Sequence, residues 1–600
     1  MKTIDIESDS KLESSERVEA DQEEDFSYVQ SLIDNAKDGD SIILKNKTYK
    51  GNGTPISINK NLNLYGYQYE SNINTILDAD FKSNIFSINE NVHINIYGLS
   101  LINGKNYNGG AIYNQGTLKI YKSNFKLNDG EWGGCIYNGK DLEAYDSTFD
   151  KNTAFEAGAI YNAANLKIEN CNFTSQKVRH KAGVIFSSRN LIINNSIFRL
   201  TSGSDEGGAI FTNGGSITID SSKFELNKAL SYGGSIDNSG TMTIKNCEFI
   251  SNSAYGAGAI DNGGELTIIN STFINNKATV NGGAIDSNKH LNILGSVFEN
   301  NTAKGNGGAI LARGKTTLSH SSIINNIDSQ GYGIYSYEDN ISLDNNWWGS
   351  NNPKFERILN IEISNDFRWV LMNFTNITPL MQSSESELIF TFNQTTDKNK
   401  NQYSLKNSSK MPYILGSFVL EGENGKKIFK VNATNGKLLK TIYIGLDKTI
   451  TAIFNEESIS LDILEKTDEH NETDNETDDD TYEDLDYGDV DKNTTPNQSN
   501  KSDDSINRNN ASNDFSKQET FNLDKFKNKD FTKSIQKSTN PKLDNSNTNS
   551  SNEEIYDEGI NEKSESDDLN KYQNYLIPIA ILILALFIIF AAKRKKDNNE

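Results

Sequence analysis

The stretch "NGGAIYNQGTLKIYKSNF", residues 108–125, decides the fold because its parts recur along the chain. The Gly-Ala-Ile step, or a close variant, returns every 24 to 26 residues. Its apolar member stands at Ile112, Ile136, Ile160, Ile185, Ile210, Ile236, Ile260, Ile285, Ile310 and Ile334. A second series follows 13 or 14 residues later, at Phe125, Phe149, Phe173, Phe198, Phe224, Phe249, Phe273, Phe298 and Ile323. Ten units keep the first apolar position in register and nine keep the second, which indicates a repeat architecture.

The glycines of this stretch do not form a phosphate-binding loop. Such a loop is a single glycine-rich turn that leads into a helix N-terminus, whereas here every unit has glycines and no helix-length periodic segment follows. The one Gly-Lys-Thr triplet, Gly314 to Thr316, has Ala309 where the P-loop pattern requires a glycine. We therefore assign the glycines to tight corners of the repeat.

Each unit holds three short strand-like steps separated by Asn, Gly and Ser, and none holds an amphipathic helix. Three strands in about 25 residues make one triangular coil, and coils stack at the usual strand spacing of roughly 4.8 Å. The predicted fold class is all-β: a right-handed parallel β-helix of 24–26 residues per coil. The Ile and Phe series fill its interior. Asn residues two after Ile and three after Phe, such as Asn114 and Asn128, form hydrogen-bonded ladders.

The three cysteines fit this scheme as small core residues. Cys171 and Cys247 share a column otherwise held by Ser, three coils and therefore about 14 Å apart. A disulfide needs Cα atoms within about 7 Å, and Cys135 lies in another column. All three are expected to be free.

Both ends of the rod need a cover, because an open β-helix exposes unpaired strand edges. Residues 25–36 place Phe26, Val29, Ile33 and Ala36 on one helical face, with Gly39 ending the helix, which predicts an N-terminal cap. Trp347 and Trp348 are predicted to plug the other end, with an aromatic ligand site as the alternative.

The composition divides the remaining chain. Only 35% of residues are hydrophobic, the mean hydropathy is -0.62 and the formal charge is -23. This acidity argues against a nucleic-acid partner, whose phosphates attract basic surfaces. The predicted organisation is an acidic N-terminus without a recognisable signal peptide (1–25), cap and irregular first coils (26–108), regular coils (109–350), a β-sandwich or Ig-like module (351–463), a disordered acidic stalk (464–573), a transmembrane helix (575–592) and a basic tail (593–600).

The uncharged run 575–592 is near the ~20 residues that cross a bilayer as a helix. Four basic residues, 593–596, follow it and favour the cytoplasmic side. We therefore expect a single-pass protein of the cell membrane, with its bulk extracellular and its C-terminus cytoplasmic.

One column of the repeat is the candidate ligand-binding surface. It comprises the residues directly after each Ile, which strand alternation predicts to face outward. Its members of interest are Tyr113, Tyr137, Tyr161, Phe186, Phe211, Asp237, Asp261 and Asp286. No Arg or Lys column accompanies the aspartates, as a uronate lyase would require.

Four interpretations of this column stay open. The favoured one is structural, with solvated surface aspartates below an aromatic ladder. The aromatic rings could instead stack on sugars, the aspartates with Asn238 and Asn262 could hold Ca²⁺, or two aspartates one coil apart could act as a glycosidase pair. We assign no catalytic residue, no metal ligand and no cofactor.

The repeat motifs carry a family resemblance. Gly109–Ile112 with Phe125–Asn128 resembles the repeats of polymorphic outer-membrane proteins. Together with Asp34–Asp40 and the Asn-Trp-Trp-Gly end, residues 26–460 are similar to adhesin-like surface proteins of methanogenic archaea. The resemblance implies a non-catalytic adhesin that binds a glycan, a cell-wall polymer or a surface protein of another cell. The alternatives are a polysaccharide-active lyase or hydrolase and a structural envelope component.

Overall fold

The computed structural model describes residues 24–69, 72–73, 75–203, 205–337 and 341–466. Most of this chain winds into an all-β right-handed parallel solenoid of about 12 turns, as the repeat predicts. Each full coil contributes one strand to each of three parallel sheets, which have 12, 13 and 12 strands. We name them sheets 1, 2 and 3 in the order in which a coil that begins at a repeat Ile visits them.

The strands of the three sheets are short and stack in register. Sheet 1 comprises Ile56–Ile58, Phe86–Ile88, Ile112–Asn114, Ile136–Asn138, Ile160–Asn162, Ile185–Ser187, Ile210–Thr212, Ile236–Asn238, Ile260–Asn262, Ile285–Ser287, Ile310–Ala312 and Ile334–Ser336. Sheet 2 comprises Asp40–Ile43, Leu62–Tyr65, His93–Tyr97, Thr117–Tyr121, Asp141–Tyr145, Asn165–Glu169, Leu191–Asn194, Ser216–Asp220, Thr241–Lys245, Glu265–Ile269, Leu291–Leu294, Thr316–Ser319 and Ile341–Ser342. Sheet 3 comprises Thr48–Lys50, Thr75–Asp78, Leu99–Ile102, Asn124–Lys126, Thr148–Asp150, Asn172–Thr174, Ile197–Arg199, Lys223–Glu225, Glu248–Ile250, Thr272–Ile274, Val297–Glu299 and Ser322–Ile324.

The interior of the rod is built from the two apolar series. Each repeat Ile is paired with the Ile of the next coil, as Ile112 is with Ile136, and both are fully buried. The eight repeat Phe rings form a continuous stack from Phe125 to Phe298, with centroids 4.6–4.9 Å apart. The predicted core columns are thus confirmed, and the strand spacing lets identical rings pack face to face.

The two Asn ladders are also present and buried. In sheet 1 the Asn114 amide donates to Asn138 (2.8 Å), which donates to Asn162 (2.7 Å). At the corner after sheet 3 the Asn252 amide donates to the Phe224 carbonyl (3.0 Å), while its own oxygen accepts from the Asn227 backbone N–H (3.0 Å). The ladders therefore satisfy backbone groups that the turns leave without a strand partner.

Removing one ladder amide tests this role. Replacing Asn252 by Ala leaves the Asn227 N–H and the Phe224 carbonyl without a hydrogen-bond partner in the buried corner. We therefore expect a loss of roughly 2–4 kcal/mol in the free energy of unfolding. Urea denaturation measures it. Asn292, an exposed strand residue of sheet 2, is the matched control, and its change to Ala should cost less than about 0.5 kcal/mol. Equal effects at both sites would contradict a structural ladder.

The predicted N-terminal cap forms. A helix spans Phe26–Asn35, and the Asp25 carboxylate accepts from the backbone N–H groups of Ser27 and Tyr28. The helix ends at Asn35, four residues before Gly39, because Ala36 is already extended. Its side chains buried against the rod are Phe26, Val29 and Ile33.

The two tryptophans at the C-terminal end of the rod pack into different hydrophobic cores. Trp348 is 4% exposed and joins Phe355 in the rod core, so it plugs the coil as predicted. Trp347 is fully buried in the next module, where it packs on Phe392 (5.0 Å) and donates to Asn455 (2.8 Å). Neither ring is available to a ligand, which excludes the alternative of an aromatic ligand site here.

Residues 369–462 form two antiparallel sheets that share one core, which includes Phe390, Phe418 and Phe454. The first sheet comprises Trp369–Asn376, Ser384–Thr396, Gln402–Ser404 and Lys437–Ile444. The second comprises Ile414–Gly422, Gly425–Ala433, Asp447–Phe454 and Glu457–Asp462. Smaller elements of the described residues include the hairpin Gln68–Tyr69 with Asn72–Ile73 and the 3-10 helices Phe355–Arg357 and Ser408–Lys410.

Several predicted segments lie outside the described residues: the N-terminus up to residue 23, the stalk from residue 467, the membrane span 575–592 and the tail 593–600. Within the part of the chain that the structure describes, no helix combines the length and the apolar character needed to cross a bilayer.

The thiols are buried in the core, as predicted. Cys135, Cys171 and Cys247 are all free. The Cys171 backbone N–H donates to Ser196 and the Ser222 N–H donates to Cys247, so both cysteines take the Ser positions of the column. Burial raises the pKa of the Cys171 and Cys247 thiols to about 12, which leaves no thiolate for chemistry near neutral pH.

Candidate functional site: an acidic cleft over sheet 1

A fourth side of the rod lies between sheet 3 and the return to sheet 1. Short parallel strands occur there: Lys105–Asn108, Asp129–Trp132, Thr153–Glu156, Lys177–Val178, Ser253–Ala254, Lys277–Ala278 and Thr302–Ala303. The loop after each fourth-side segment rises over the outer face of sheet 1. Trp132 packs edge-on against Tyr161 (5.3 Å), and the Lys181 ammonium lies 4.6 Å from the centre of the Phe211 ring. Trp132 and Lys181 thus each cover the aromatic residue of the column on the following coil.

This cover corrects the expected exposure of the candidate column. The column lies on the outer side of sheet 1, since it alternates with the fully buried Ile and Asn positions. The loops nevertheless bury Phe186 (8% exposed), Phe211 (8%), Asp237 (7%) and Asp286 (5%). Members that keep partial exposure are Tyr113, Tyr137, Tyr161 and Asp261. The expectation of solvated aspartates is wrong for Asp237 and Asp286, because strand alternation predicts the direction of a side chain but not what the loops place above it.

The aromatic half of the column is a structural ladder. Centroids of Tyr137 and Tyr161 lie 5.4 Å apart, those of Tyr161 and Phe186 4.6 Å, and those of Phe186 and Phe211 5.5 Å. Tyr161 and Phe186 have a stacked ring on each side, so neither offers a free face on which a sugar could stack. A second outer ladder, which the repeat analysis missed, runs along sheet 2 through Tyr65, Tyr97, Tyr121 and Tyr145.

The acidic half lines a cleft of about 620 Å³. Asp237, Asp261 and Asp286 stand on three successive strands and form its floor. Tyr232 and Tyr255, which are 44% and 53% exposed, form its aromatic rim. Asn281 and Asn288 add amide groups. The cleft therefore combines buried acceptors with two rings that face solvent.

A basic side chain lies toward each end of this floor, although no Arg or Lys column accompanies the aspartates, as the sequence predicts. Lys181 pairs with Glu206 at 2.5 Å. Arg313 pairs with Asp286 and also donates to Asn288 at 3.2 Å. Neither belongs to a repeated basic column: both come from loops, so the search for a column missed them.

The two remaining aspartates carry no such partner. Among the described residues, no hydrogen bond or ion pair holds Asp237 or Asp261, and only longer-range charges act on them. Burial, with the charge of Glu206, raises the pKa of Asp237 to about 7. Burial, with the charges of Asp237 and Asp286, raises the pKa of Asp261 to about 8. Both side chains thus exchange protons near neutral pH.

Asp286 differs because of its cation. Burial still raises the pKa of Asp286, and Arg313 opposes the rise. The three carboxyl groups of the floor are therefore not equivalent, although the sequence repeats them identically.

The floor does not suit a metal ion. Within the described ranges, no group of three or more His, Cys, Asp or Glu side chains is arranged to hold one. Three strands in succession span roughly 10 Å, whereas Ca²⁺ gathers its oxygen ligands at 2.3–2.6 Å around one point. Stacking in line keeps the three carboxylates from converging.

The sequence carries a signal for the side chains that cover the outer face of sheet 1. The covering side chains occupy the position four residues before each repeat Ile, at the end of a fourth-side strand or in the loop that follows it. This position reads Asn108, Trp132, Glu156, Lys181, Glu206, Tyr232, Gly256, Asn281, Asn306 and Gln330. This column varies while its neighbours repeat, and Gly256 alone in it has no side chain. The cleft opens there, with the Tyr232 ring lying against Gly256.

Comparison with known proteins agrees with the fold. Residues 135–298 match the model of the right handed beta helix region, and residues 295–313 match the Chlamydia polymorphic membrane protein repeat. No curated protein matches the chain.

Solved structures with some likeness include polysaccharide lyases and a tailspike. The PL6 family alginate lyase AlyGC is 13% identical with a TM-score of 0.34; the alignment covers 64% of this chain and spans 55% of that enzyme's length. A tailspike mutant of E. coli bacteriophage HK620, in complex with a pentasaccharide, is 12% identical with a TM-score of 0.30, over 72% of this chain and 90% of that one. Likenesses of this size say nothing of a ligand. The chain is similar to right-handed β-helix regions, with a repeat of the polymorphic membrane protein type.

Proposed function

We propose that this chain is a non-catalytic, adhesin-like surface protein that binds a glycan in the cleft over Asp237, Asp261 and Asp286. One observation carries the proposal: the buried carboxyl group of Asp237 and the partly exposed carboxyl group of Asp261, both without a protein partner among the described residues, face a cleft rimmed by exposed tyrosines. Buried polar groups are normally paired, so an unpaired pair facing a cleft indicates a ligand.

The chemistry of the lining favours a glycan over other ligands. Carboxyl and amide oxygens accept hydrogen bonds from sugar hydroxyls. The exposed faces of Tyr232 and Tyr255 suit the apolar face of a pyranose ring. A phosphate-rich ligand is disfavoured by the acidic floor.

The cell-surface setting is part of the same proposal. The repeat of the polymorphic membrane protein type, the resemblance to surface proteins of methanogenic archaea and the apolar run 575–592 support it. In this setting the rod would present the cleft to another cell, a host glycan or a cell-wall polymer.

A glycan array with the full-length chain tests the binding, followed by titration of the best ligand. Because each exposed tyrosine would stack on a sugar, Tyr232→Ala and Tyr255→Ala should each weaken binding about 10-fold. Tyr443→Ala removes a ring of the C-terminal module that is more exposed, at 62%, than either cleft tyrosine, and it should have no effect. Unchanged affinity in both cleft variants would contradict this site.

A polysaccharide-active enzyme is the second candidate. The observation that favours it is that Asp237 and Asp261 are partners on adjacent strands, near the carboxyl separation of a retaining glycosidase, and that burial raises the pKa of Asp261 to about 8, as the general acid of such a pair requires. Release of reducing ends from an array-selected glycan would establish it. A chain that neither binds nor cleaves any glycan would instead be a structural envelope component.

A further inference from the structure

Two carboxyl groups of the cleft have no cation in direct contact, and this indicates the charge of the ligand. Its two basic side chains are already used: Lys181 lies 2.5 Å from Glu206, and Arg313 pairs with Asp286. Asp237 and Asp261 remain without a counter-charge in direct contact, although Asp237 is only 7% exposed. The cleft thus lacks one cation between two adjacent carboxyl groups.

The spacing of these carboxyl groups fits an ammonium ion. Adjacent strands of sheet 1 lie about 4.8 Å apart, and Asp237 is the strand partner of Asp261. An ammonium nitrogen that donates to two oxygens at about 2.8 Å, along tetrahedral directions, places those oxygens roughly 4.6 Å apart. A single ammonium group therefore bridges Asp237 and Asp261 without displacing either strand.

Building on the proposed glycan-binding function, we propose that the cleft selects an amino sugar with a free primary amine, whose ammonium group bridges Asp237 and Asp261 between Tyr232 and Tyr255. The hydroxyl groups of a neutral sugar donate hydrogen bonds but leave the buried charges uncompensated. An N-acetylated sugar loses the charge, and its acetyl group occupies the space where the nitrogen must approach both oxygens.

Proton exchange supports this assignment. The charged groups around the pair are Lys181, Glu206, Asp286 and Arg313. A ligand cation favours the ionised carboxylates, so binding near neutral pH releases protons from Asp237 and Asp261, whose pKa values are about 7 and 8. Lowering the pH from 7.5 to 5.5 protonates both, and affinity should fall by at least about 20-fold.

The decisive experiment compares two ligands that differ only at nitrogen. The full-length chain is titrated calorimetrically with a β-1,4-linked glucosamine tetramer and with the fully N-acetylated tetramer. We expect the free amine to bind at least about 50-fold more tightly at pH 7.5, because compensating a buried charge is worth more than a neutral hydrogen bond. Titrations in two buffers of different ionisation enthalpy measure the net proton transfer, to which release from the carboxyl groups and uptake by the sugar amine contribute with opposite signs; the acetylated tetramer, which has no titrating amine, should show no such transfer.

Variants locate the effect. Asp237→Asn with Asp261→Asn should bring the affinities for the two tetramers within about 3-fold. Each single variant, which changes one atom, provides a second measurement should the double variant fold poorly. Asp220→Asn, on sheet 2 and outside the cleft, is the control and should keep the full preference.

The possible outcomes distinguish failure of the amine preference from failure of the proposed glycan binding. Equal or tighter binding of the acetylated tetramer by the parent chain would overturn the amine preference while leaving glycan binding intact. A preference that persists in the Asp237 and Asp261 variants would also overturn it. Failure of the chain to bind either tetramer or any array glycan would overturn both the inference and the proposed function.

Discussion

Replacing Gly234 by Ala is expected to destabilise the rod by about 3 kcal/mol or more, because the new methyl group has no space. A Cβ at this position would meet the Gly258 carbonyl oxygen of the next coil well inside contact distance, and the Ser253 backbone nitrogen at 2.7 Å. These atoms belong to stacked backbone and cannot turn away as a side chain would. The free energy of unfolding, from urea denaturation, measures the effect.

Gly263 provides the matched control. Its nearest neighbour for an added Cβ is the Asn238 carbonyl oxygen, at an ordinary contact distance of 3.5 Å, and its backbone is not left-handed. Gly263→Ala should therefore be neutral, or stabilise the protein by up to about 1 kcal/mol, because alanine lowers the conformational entropy of the unfolded chain. If Gly234→Ala were as stable as Gly263→Ala, close stacking of coils through the glycine corner would be contradicted.

Replacing Asp261 by Asn is expected to stabilise the unliganded protein at alkaline pH. A raised pKa means that the folded state holds the carboxyl proton more tightly than the unfolded chain does. Folding is therefore penalised as pH rises from the unfolded value near 4 through the folded value of about 8. The variant should gain little at pH 4 and on the order of 4 kcal/mol at pH 8.5.

Unfolding free energies measured at several pH values test this dependence. Asp220→Asn, on the outer face of sheet 2, should change stability by less than about 0.5 kcal/mol at every pH. An Asp261→Asn protein that is less stable than the parent at pH 8.5 would show that the ionised carboxylate has a stabilising partner. Such a partner would remove the basis for assigning Asp261 to a ligand.

Much of the rod could be predicted from the sequence, because identical coils place identical residues above one another. A period of 24 to 26 residues gave the interior Ile and Phe columns, the Asn ladders and the buried, unpaired thiols. The cap helix followed from a 3.6-residue pattern beginning at Phe26. In each case a local rule and the stacked architecture require the same residue type.

The candidate site could be predicted only in part, because it is assembled by loops that do not repeat. Strand alternation correctly predicted that Asp237 and Asp261 lie on the outer face of sheet 1, but it carries no information on what lies above them. Lys181 and Arg313 reach the floor from loops of neighbouring coils, and their pairing depends on loop conformation. Exposure and charge at this site are thus properties of the loops rather than of the repeat.

A crystal structure of the full-length chain with its best array glycan tests the central claim most directly. The account predicts a sugar ring between Tyr232 and Tyr255, with a polar group of the ligand within hydrogen-bond distance of both Asp237 and Asp261. A glycan bound instead along the Tyr97–Tyr121 ladder of sheet 2 or on the C-terminal module, with the cleft filled only by water, would contradict it.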